Sequence, residues 1–156
     1  MRQYPKRSRL QNFNYLGTFA YFITITTDYR KGCFSDHHNV ELVLPILEQS
    51  SRKFNFQICL YCFMPDHLHL LLQGDTHTAD LKKFIRIFKQ RSGYIFKKKN
   101  KCKLWQPSFH DHVLREEEDL LEVARYILLN PVRKGIVDNF KDYPFSGSRV
   151  WDIDKL

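Results

Sequence analysis

Apolar residues fall into short segments with strand-like alternation, separated by longer stretches with helical spacing. Four segments fit a β-strand, because they are rich in aromatic and β-branched residues or alternate with a period of two: 19–27, 54–63, 67–73 and 107–114. In the second of these, the period of two predicts that alternate residues share one face: Phe56, Ile58, Leu60 and Cys62. Only residues 64–66 separate the second and third segments, which predicts a hairpin and antiparallel pairing.

Three further stretches have the spacing of amphipathic helices: 39–52, 78–98 and 116–130. Pro45 lies inside the first of them, where it is compatible with a helix only in the first turn or at a kink. Thr78 or Asp80 can cap the second helix, and Gly93 is expected to bend or end it. Acidic residues begin the third helix, and Pro131 is expected to stop it.

The element order is therefore β-α-β-β-α-β-α, without an internal repeat. A hairpin in the middle argues against a purely parallel sheet. The order predicts an α+β fold of the split βαβ kind, in which helices pack on one face of an antiparallel sheet and a C-terminal helix follows. The length of 156 residues fits a single domain spanning 1–156.

The charge is strongly positive, with 25 Lys and Arg against 17 Asp and Glu and a net charge of +8. Such a balance favours polyanionic partners, because neutralised phosphates release counterions. Much of the excess lies on the second predicted helix and the loop after it, where we expect DNA contacts from Lys82, Lys83, Arg86, Lys89, Arg91, Lys97, Lys98 and Lys99. The alternative is a solvated helix face followed by a basic loop.

The chain has no apolar run of eighteen residues, and its basic N-terminus lacks the apolar stretch of a secretory signal. We therefore expect no membrane association and a cytoplasmic location. Four cysteines without a signal do not indicate a disulfide framework. Cys59-x-x-Cys62 suggests zinc, but in a regular strand an offset of three sends the two thiols to opposite faces. No second pair completes a four-ligand site, so buried structural cysteines are expected.

The segment HLHLLLQ at 67–73 carries the first candidate chemistry. Alternation sends Leu68, Leu70 and Leu72 to one face and places His67 and His69 together on the other. Two imidazoles at that spacing can bind one metal ion. The alternative is a pair of solvent-facing histidines on an open sheet face.

The third predicted helix carries the second candidate. Tyr126 and Asn130 lie four residues apart and so share a helix face, away from much of the apolar stripe. In the functional interpretation, Asn130 offers an amide oxygen to a metal while Tyr126 presents its hydroxyl nearby. A tyrosine attack on phosphorus would form a covalent tyrosyl-phosphate and conserve the ester bond for rejoining. In the alternative, Tyr126 is a boundary residue with a packed ring and a solvated hydroxyl.

These segments, in order, carry a family resemblance. MPDHLHLLLQ, then WQPSFHDHVLR, then ARYILLNPVRKG resemble the single-tyrosine transposases of the His-hydrophobic-His endonuclease class, especially the branch associated with repetitive extragenic palindromes. The resemblance implies a ferredoxin-like fold and cleavage of single-stranded DNA near a hairpin, dependent on a divalent metal ion such as Mg²⁺ or Mn²⁺. It also implies a 5′-phosphotyrosine intermediate.

By motif position, the resemblance makes His67 and His69 metal ligands and Tyr126 the nucleophile. Asn130 stands where several relatives carry a glutamine, which makes it the candidate third ligand. His112 falls in a segment similar to the strand before the catalytic helix, and a DNA or phosphate contact is expected of it. A homodimer in which the tyrosine helix serves the partner's site and a monomer are both compatible with the class.

Two alternatives to a strand-transferring endonuclease are open from sequence. One is a DNA- or RNA-binding module with a vestigial site, which would share the charge and the fold but not need Tyr126. The other is a metal-dependent hydrolase that uses water, which would need the histidines but not the tyrosine.

Overall fold

The computed structural model describes residues 9–115 and 118–156. Its centre is a fully antiparallel sheet in the order β4-β1-β3-β2-β5. The strands are β1 (Ala20–Thr26), β2 (Phe56–Met64), β3 (His67–Gly74), β4 (His110–Val113) and β5 (Ser146–Gly147). The β2–β3 hairpin turns directly after Met64, as the short break in the sequence predicts.

Four α-helices accompany the sheet in the described residues: α1 (His37–Lys53), α2 (Leu81–Asn100), α3 (Leu120–Leu128) and the single turn α4 (Asn130–Arg133). The α+β class is confirmed, and the predicted order holds from β1 to α3; α4 and the two-residue strand β5 follow beyond it. Asp80 caps α2 by accepting a hydrogen bond from the backbone N–H of Lys83. Gly93 lies inside α2 and does not end it.

The two faces of the sheet are covered by different helices. On one face, α1 and α2 pack over Leu68, Leu70 and Leu72 of β3. On the other face, α3 packs over Leu71 and Phe22. Because alternate residues of a strand point to opposite sides, the face that α3 covers is also the face that carries His67 and His69.

The alternation predicted for β2 is wrong after its third residue. The register between β2 and β3 shifts between Ile58 and Leu60, which leaves Cys59 as an extra residue in a bulge. Phe56 and Ile58 therefore face α1 and α2, whereas Leu60 and Cys62 face α3. A pattern of apolar residues cannot reveal the slip, because β2 is buried on both faces.

The same bulge changes the expectation for the cysteines. Cys59 and Cys62 are not on opposite faces, since both lie in the cluster beneath α3. All four thiols are free; Cys59 and Cys62 are buried as predicted, whereas Cys33 and Cys102 are only half-buried. Burial raises the pKa of the Cys59 thiol to about 12 and that of Cys62 to about 11.

The third helix is shorter than predicted, and Pro131 does not have the helix-stopping role expected of it. The predicted span 116–130 is shorter as folded, since α3 covers Leu120–Leu128; residues 116 and 117 lie outside the described part. Pro131 does not stop the chain from being helical, because it occupies the first turn of α4, where a missing N–H costs nothing. Pro45 is accommodated inside α1.

Candidate active site

His67 and His69 stand next to each other at the end of the sheet where β3 begins. The two Nε2 atoms are 3.0 Å apart, and the ring centroids are separated by 4.5 Å. Both side chains line a cleft of about 210 Å³ between the sheet and α3. The side-by-side placement predicted from alternation is therefore confirmed, and the pair lies under a helix rather than on an open sheet face.

Each ring is oriented from behind by a polar neighbour. The Nδ1 atom of His67 lies 2.7 Å from Oδ1 of Asp66, and the Nδ1 atom of His69 lies 3.0 Å from the hydroxyl of Thr24 on β1. Burial opposes ionisation of Asp66, but the hydrogen bond and charge of His67, together with Arg30, lower the pKa of that carboxyl below its ordinary value. Contacts of this kind fix which ring nitrogen faces a ligand.

Tyr126 enters the same cleft from α3. Its ring packs edge-on against Phe22, with centroids 6.2 Å apart. The guanidinium of Arg133 covers the ring at 4.1 Å from its centroid and donates a hydrogen bond of 2.7 Å to the backbone carbonyl of Tyr126. These contacts hold the ring from two sides at the wall of the cleft, and the role of Tyr126 as nucleophile stays a prediction.

Asn130 begins α4, one turn after Tyr126, and also lines the cleft. It is 6% exposed, which is unusual for an amide side chain. One cleft of one chain thus holds all four residues that the sequence nominates for catalysis and metal binding: His67, His69, Tyr126 and Asn130.

Two cations that sequence reasoning missed lie on the walls of this cleft, Arg30 and Lys134. Arg30 follows β1 and reaches the carboxylate of Asp66 at 3.4 Å. Asp66 was also missed, although its position directly before His67 offered a signal. No local signal marks Arg30 or Thr24, because their nearness to the histidines depends on the pairing of β1 with β3.

His112 lies on β4 and pairs in register with Phe22, which puts it on the same face of the sheet as the cleft. Its Nε2 atom lies 2.9 Å from a carboxylate oxygen of Glu118. Glu118 also accepts a hydrogen bond from the backbone N–H of Arg115. His112 therefore ties β4 to the segment that leads into α3, and the DNA contact expected of it stays a prediction.

The basic residues of α2 lie on the other side of the sheet from the cleft, because α2 packs against the opposite face. Seven of the eight are exposed: Lys82, Lys83, Arg86, Arg91, Lys97, Lys98 and Lys99. The structure thus does not bring these residues together with the histidines and Tyr126. Their predicted role in binding DNA stays a prediction, and it concerns a second surface.

Lys89 differs from its basic neighbours. Its ammonium group donates hydrogen bonds to the backbone carbonyls of Gln106 and Ser108, which ties α2 to the segment before β4. Burial, with the nearby charges of Arg9 and Lys103, lowers the pKa of Lys89 to about 8. These bonds leave Lys89 less available to a DNA backbone than the exposed residues around it.

A separate group of potential metal ligands occurs at the start of α1. The group consists of Asp36, His37 and His38, whose ligand atoms all lie within 4.8 Å of one another. No other set of three or more His, Cys, Asp or Glu side chains in the described residues meets this criterion. All three are exposed and none lines the cleft.

None of the helices between residues 9 and 156, leaving aside 116 and 117, combines the length and apolar character that a bilayer crossing requires.

The fold is α+β, and one face of its antiparallel sheet carries a histidine pair and a helix with a tyrosine. Comparison with known sequences identifies the protein family that has this combination. The family described as "Transposase IS200 like" matches residues 16–129, and the chain belongs to this family. It is accordingly an enzyme of the transposase type, which acts on DNA.

Two relatives of this chain have names that are more specific than the family description. A Haemophilus influenzae protein named for the REP-associated tyrosine transposases is 30% identical over 141 residues, which cover 83% of this chain and 79% of that protein. The REP-associated tyrosine transposase of Escherichia coli K12 is 31% identical over 91 residues, which cover 58% of this chain and 53% of the relative.

Solved structures agree on the fold. A REP-associated tyrosine transposase bound to a REP hairpin superposes with a TM-score of 0.73 at 23% identity, covering 90% of this chain and 82% of that one. A transposase-like protein from Deinococcus radiodurans superposes with a TM-score of 0.55, also at 23% identity, covering 76% of this chain and 95% of that one.

Proposed function

We propose that this transposase is a metal-dependent, single-strand DNA endonuclease and strand transferase that acts beside a DNA hairpin, with Tyr126 as the nucleophile. The observation that carries the proposal is the convergence of His67, His69 and Tyr126 on one cleft of about 210 Å³. The REP-associated relatives and the hairpin bound in a structural neighbour support hairpin DNA as the substrate.

The histidine pair fits a divalent metal ion. The two Nε2 atoms lie 3.0 Å apart while the Nδ1 atoms contact Asp66 and Thr24, so both Nε2 atoms could bind the same ion. His67, His69 and the amide oxygen of Asn130 would hold the ion, which when bound polarises phosphorus and offsets charge on a non-bridging oxygen.

The chain's own groups supply the remaining steps. Phe22 and Arg133 fix the ring of Tyr126, which limits the directions that its hydroxyl can take. Arg30 and Lys134 offer positive charge to the phosphate that enters between them. The phenol oxygen bonds to phosphorus as the bond to the 3′ oxygen breaks, which leaves a 5′-phosphotyrosine and a free 3′ hydroxyl. Attack by another 3′ hydroxyl reverses the step and joins a new strand.

A single chain provides every residue of this proposed site. That supports catalysis within one protomer, so a monomer would be sufficient and exchange of tyrosine helices in a homodimer unnecessary. The exposed basic residues of α2 would hold the hairpin backbone on the other side of the sheet, with the single strand passing around the sheet edge to the cleft.

The experiment is a covalent-adduct assay. Purified protein is incubated with labelled single strands that carry a hairpin, with Mg²⁺ or Mn²⁺, and the products are separated in SDS. We expect an SDS-resistant protein–DNA adduct that disappears in Tyr126→Phe and in His67→Ala, with Tyr21→Phe, on the opposite face of the sheet, as the matched tyrosine control. Cleavage that persists in Tyr126→Phe would identify a water-using hydrolase, and tight binding without cleavage would identify a binding module.

A further inference from the structure

The turn between β1 and α1 presents an unusual pair of residues, the second of which lines the cleft. Tyr29 is 88% exposed, far more than any other large hydrophobic side chain among the described residues. Its neighbour Arg30 lines the cleft with the histidines and Tyr126. An aromatic ring left in water beside a cation in a catalytic cleft calls for a functional explanation.

The backbone of these two residues is strained. Tyr29 and Arg30 both have φ of 52°, in the left-handed region that residues with a side chain rarely adopt. Consecutive residues in this region are disfavoured unless surrounding contacts impose the conformation, and such strain concentrates at sites that bind ligands. Neither position is a glycine, which would adopt the same turn without strain.

Contacts on both sides impose this conformation. The hydroxyl of Thr27 donates to the backbone carbonyls of Lys31 and Asp66, and the backbone N–H of Thr27 donates to Asp66 as well. The N–H of Asp28 donates to the carbonyl of Leu104 at 2.8 Å. The turn is thus fixed to the β2–β3 hairpin on one side and to the segment before β4 on the other. Tyr29 is held in the open by a rigid support, not by a loose loop.

The size of the cleft decides which part of a nucleotide it can receive. Its volume of about 210 Å³ is below the range of roughly 300–1,000 Å³ typical of pockets that enclose whole small molecules. Arg30 and Lys134 line the cleft and would bind a phosphate there, whereas a cleft of this size leaves the flanking bases outside it. Tyr29 and Arg30 are consecutive, with Cα atoms about 3.8 Å apart, so a phosphate bound by Arg30 and a base stacked on Tyr29 can belong to neighbouring nucleotides.

We propose that Tyr29 and Arg30 form a nucleotide-binding site, in which Tyr29 stacks on an unpaired base flanking the scissile phosphate and Arg30 contacts that phosphate. The proposal rests on the proposed function of the cleft and adds the element that selects a single-stranded flank over paired DNA. Stacking on an aromatic ring needs an unpaired base with an open face and depends little on base identity.

The test measures binding without cleavage, in a Tyr126→Phe background. Two substrates are compared: a hairpin with a single-stranded flank, in which 2-aminopurine replaces successive flank bases, and the same hairpin with a blunt end. We expect quenching of 2-aminopurine at one or two flank positions. Tyr29→Ala should abolish that quenching and weaken binding of the flanked hairpin about tenfold, with blunt-hairpin affinity unchanged.

Two further substitutions separate stacking from other roles of the side chain. Tyr29→Phe should keep both the quenching and the affinity, because it keeps the aromatic face. Tyr29→Leu should behave like Tyr29→Ala, although it keeps apolar bulk. Full affinity in Tyr29→Leu, or an unchanged ratio of flanked to blunt affinity in Tyr29→Ala, would overturn the stacking site.

This test and the test of catalysis fail in different ways. If the protein with the native Tyr126 forms no adduct but the 2-aminopurine results hold, the strand-transfer proposal fails and the nucleotide site stands. If the adduct forms and Tyr29→Ala leaves the affinity ratio unchanged, the cleft is catalytic and the nucleotide site is refuted.

Discussion

At the scale of single residues, the site depends on neighbours that aim the side chains as much as on the side chains themselves. Asp66 and Thr24 each contact the Nδ1 atom of one histidine, on the side away from the Nε2 pair. A free imidazole on a strand could turn about its χ angles and point either nitrogen into the cleft. The contacts behind the rings favour the arrangement in which both Nε2 atoms face one point.

Asp66→Ala removes the carboxylate behind His67 and should weaken Mn²⁺ binding about 10- to 100-fold, because outer contacts of this kind orient metal-binding histidines. Calorimetric titration of Mn²⁺ into the protein measures the effect. Asp138→Ala, which removes an exposed carboxylate elsewhere, is the control. Equal Mn²⁺ affinity in Asp66→Ala and the parent protein would mean that Asp66 does not position His67.

At the scale of elements, β2 shows how one extra residue redirects a whole strand. Up to Ile58 the apolar alternation holds, and after the bulge at Cys59 every side chain points to the opposite face. The slip turns Leu60, Cys62 and Met64 towards α3, so it supplies part of the apolar floor on which the tyrosine helix rests. A regular strand would have offered these residues to α1 and α2.

The two thiols under α3 should give the fold a particular dependence on pH. The pKa of each thiol is raised in the folded protein to about 11 or 12, above a value of about 8.5 when unfolded. Below pH 8.5 both states hold the proton and the thiols change nothing. Above it the unfolded chain loses the proton first, so stability falls as the pH rises.

At pH 10, the ionisation of Cys59 in the unfolded chain should lower the free energy of unfolding by about 2 kcal/mol relative to pH 7. Denaturant titration at both pH values measures the change. In Cys59→Ala, the fall in the free energy of unfolding between pH 7 and pH 10 should be smaller by about 2 kcal/mol. Cys102→Ala, which changes a half-buried thiol, is the comparison variant. The same drop in Cys59→Ala as in the parent protein would contradict the buried, neutral thiol.

At the scale of the whole molecule, the sheet separates two kinds of surface. The cleft with the histidines and Tyr126 lies on the α3 side, and the exposed basic residues of α2 lie on the other. A DNA that uses both must pass around an edge of the sheet. The two surfaces would therefore have different roles: phosphate contacts on α2 would hold the DNA, and the residues of the cleft would act on one phosphodiester bond.

Lys82→Ala with Arg86→Ala should therefore weaken hairpin binding and reduce its salt dependence while leaving the cleft intact. Each lost phosphate contact lowers the slope of log affinity against log salt by about 0.7–0.9, so the pair should lower it by about 1.4–1.8. Fluorescence anisotropy over a range of salt concentrations measures the slope. Lys141→Ala with Lys155→Ala makes the same change in net charge elsewhere, and an equal effect from that pair would refute a specific role for α2.

Local spacing was enough to predict the element order, the antiparallel hairpin and the side-by-side histidines. These features depend on periods of two and of about 3.6 residues, which are written into neighbouring positions of the chain. The four residues nominated for the site, His67, His69, Tyr126 and Asn130, come from the same periodicities and from ordered motifs. The prediction of a single domain over 1–156 stays a prediction.

The tertiary structure decided what local spacing cannot express. The path of the chain sets which face of the sheet α3 covers, and the bulge sets which β2 residues it meets there, so the meeting of Tyr126 with the histidines could be stated only as a hypothesis. Thr24 reaches His69, and Arg30 reaches Asp66, because β1 pairs with β3 across some forty residues of sequence. The opposite placement of the α2 charges has the same cause, because a helix pattern records which side is apolar and not which face of a sheet it meets.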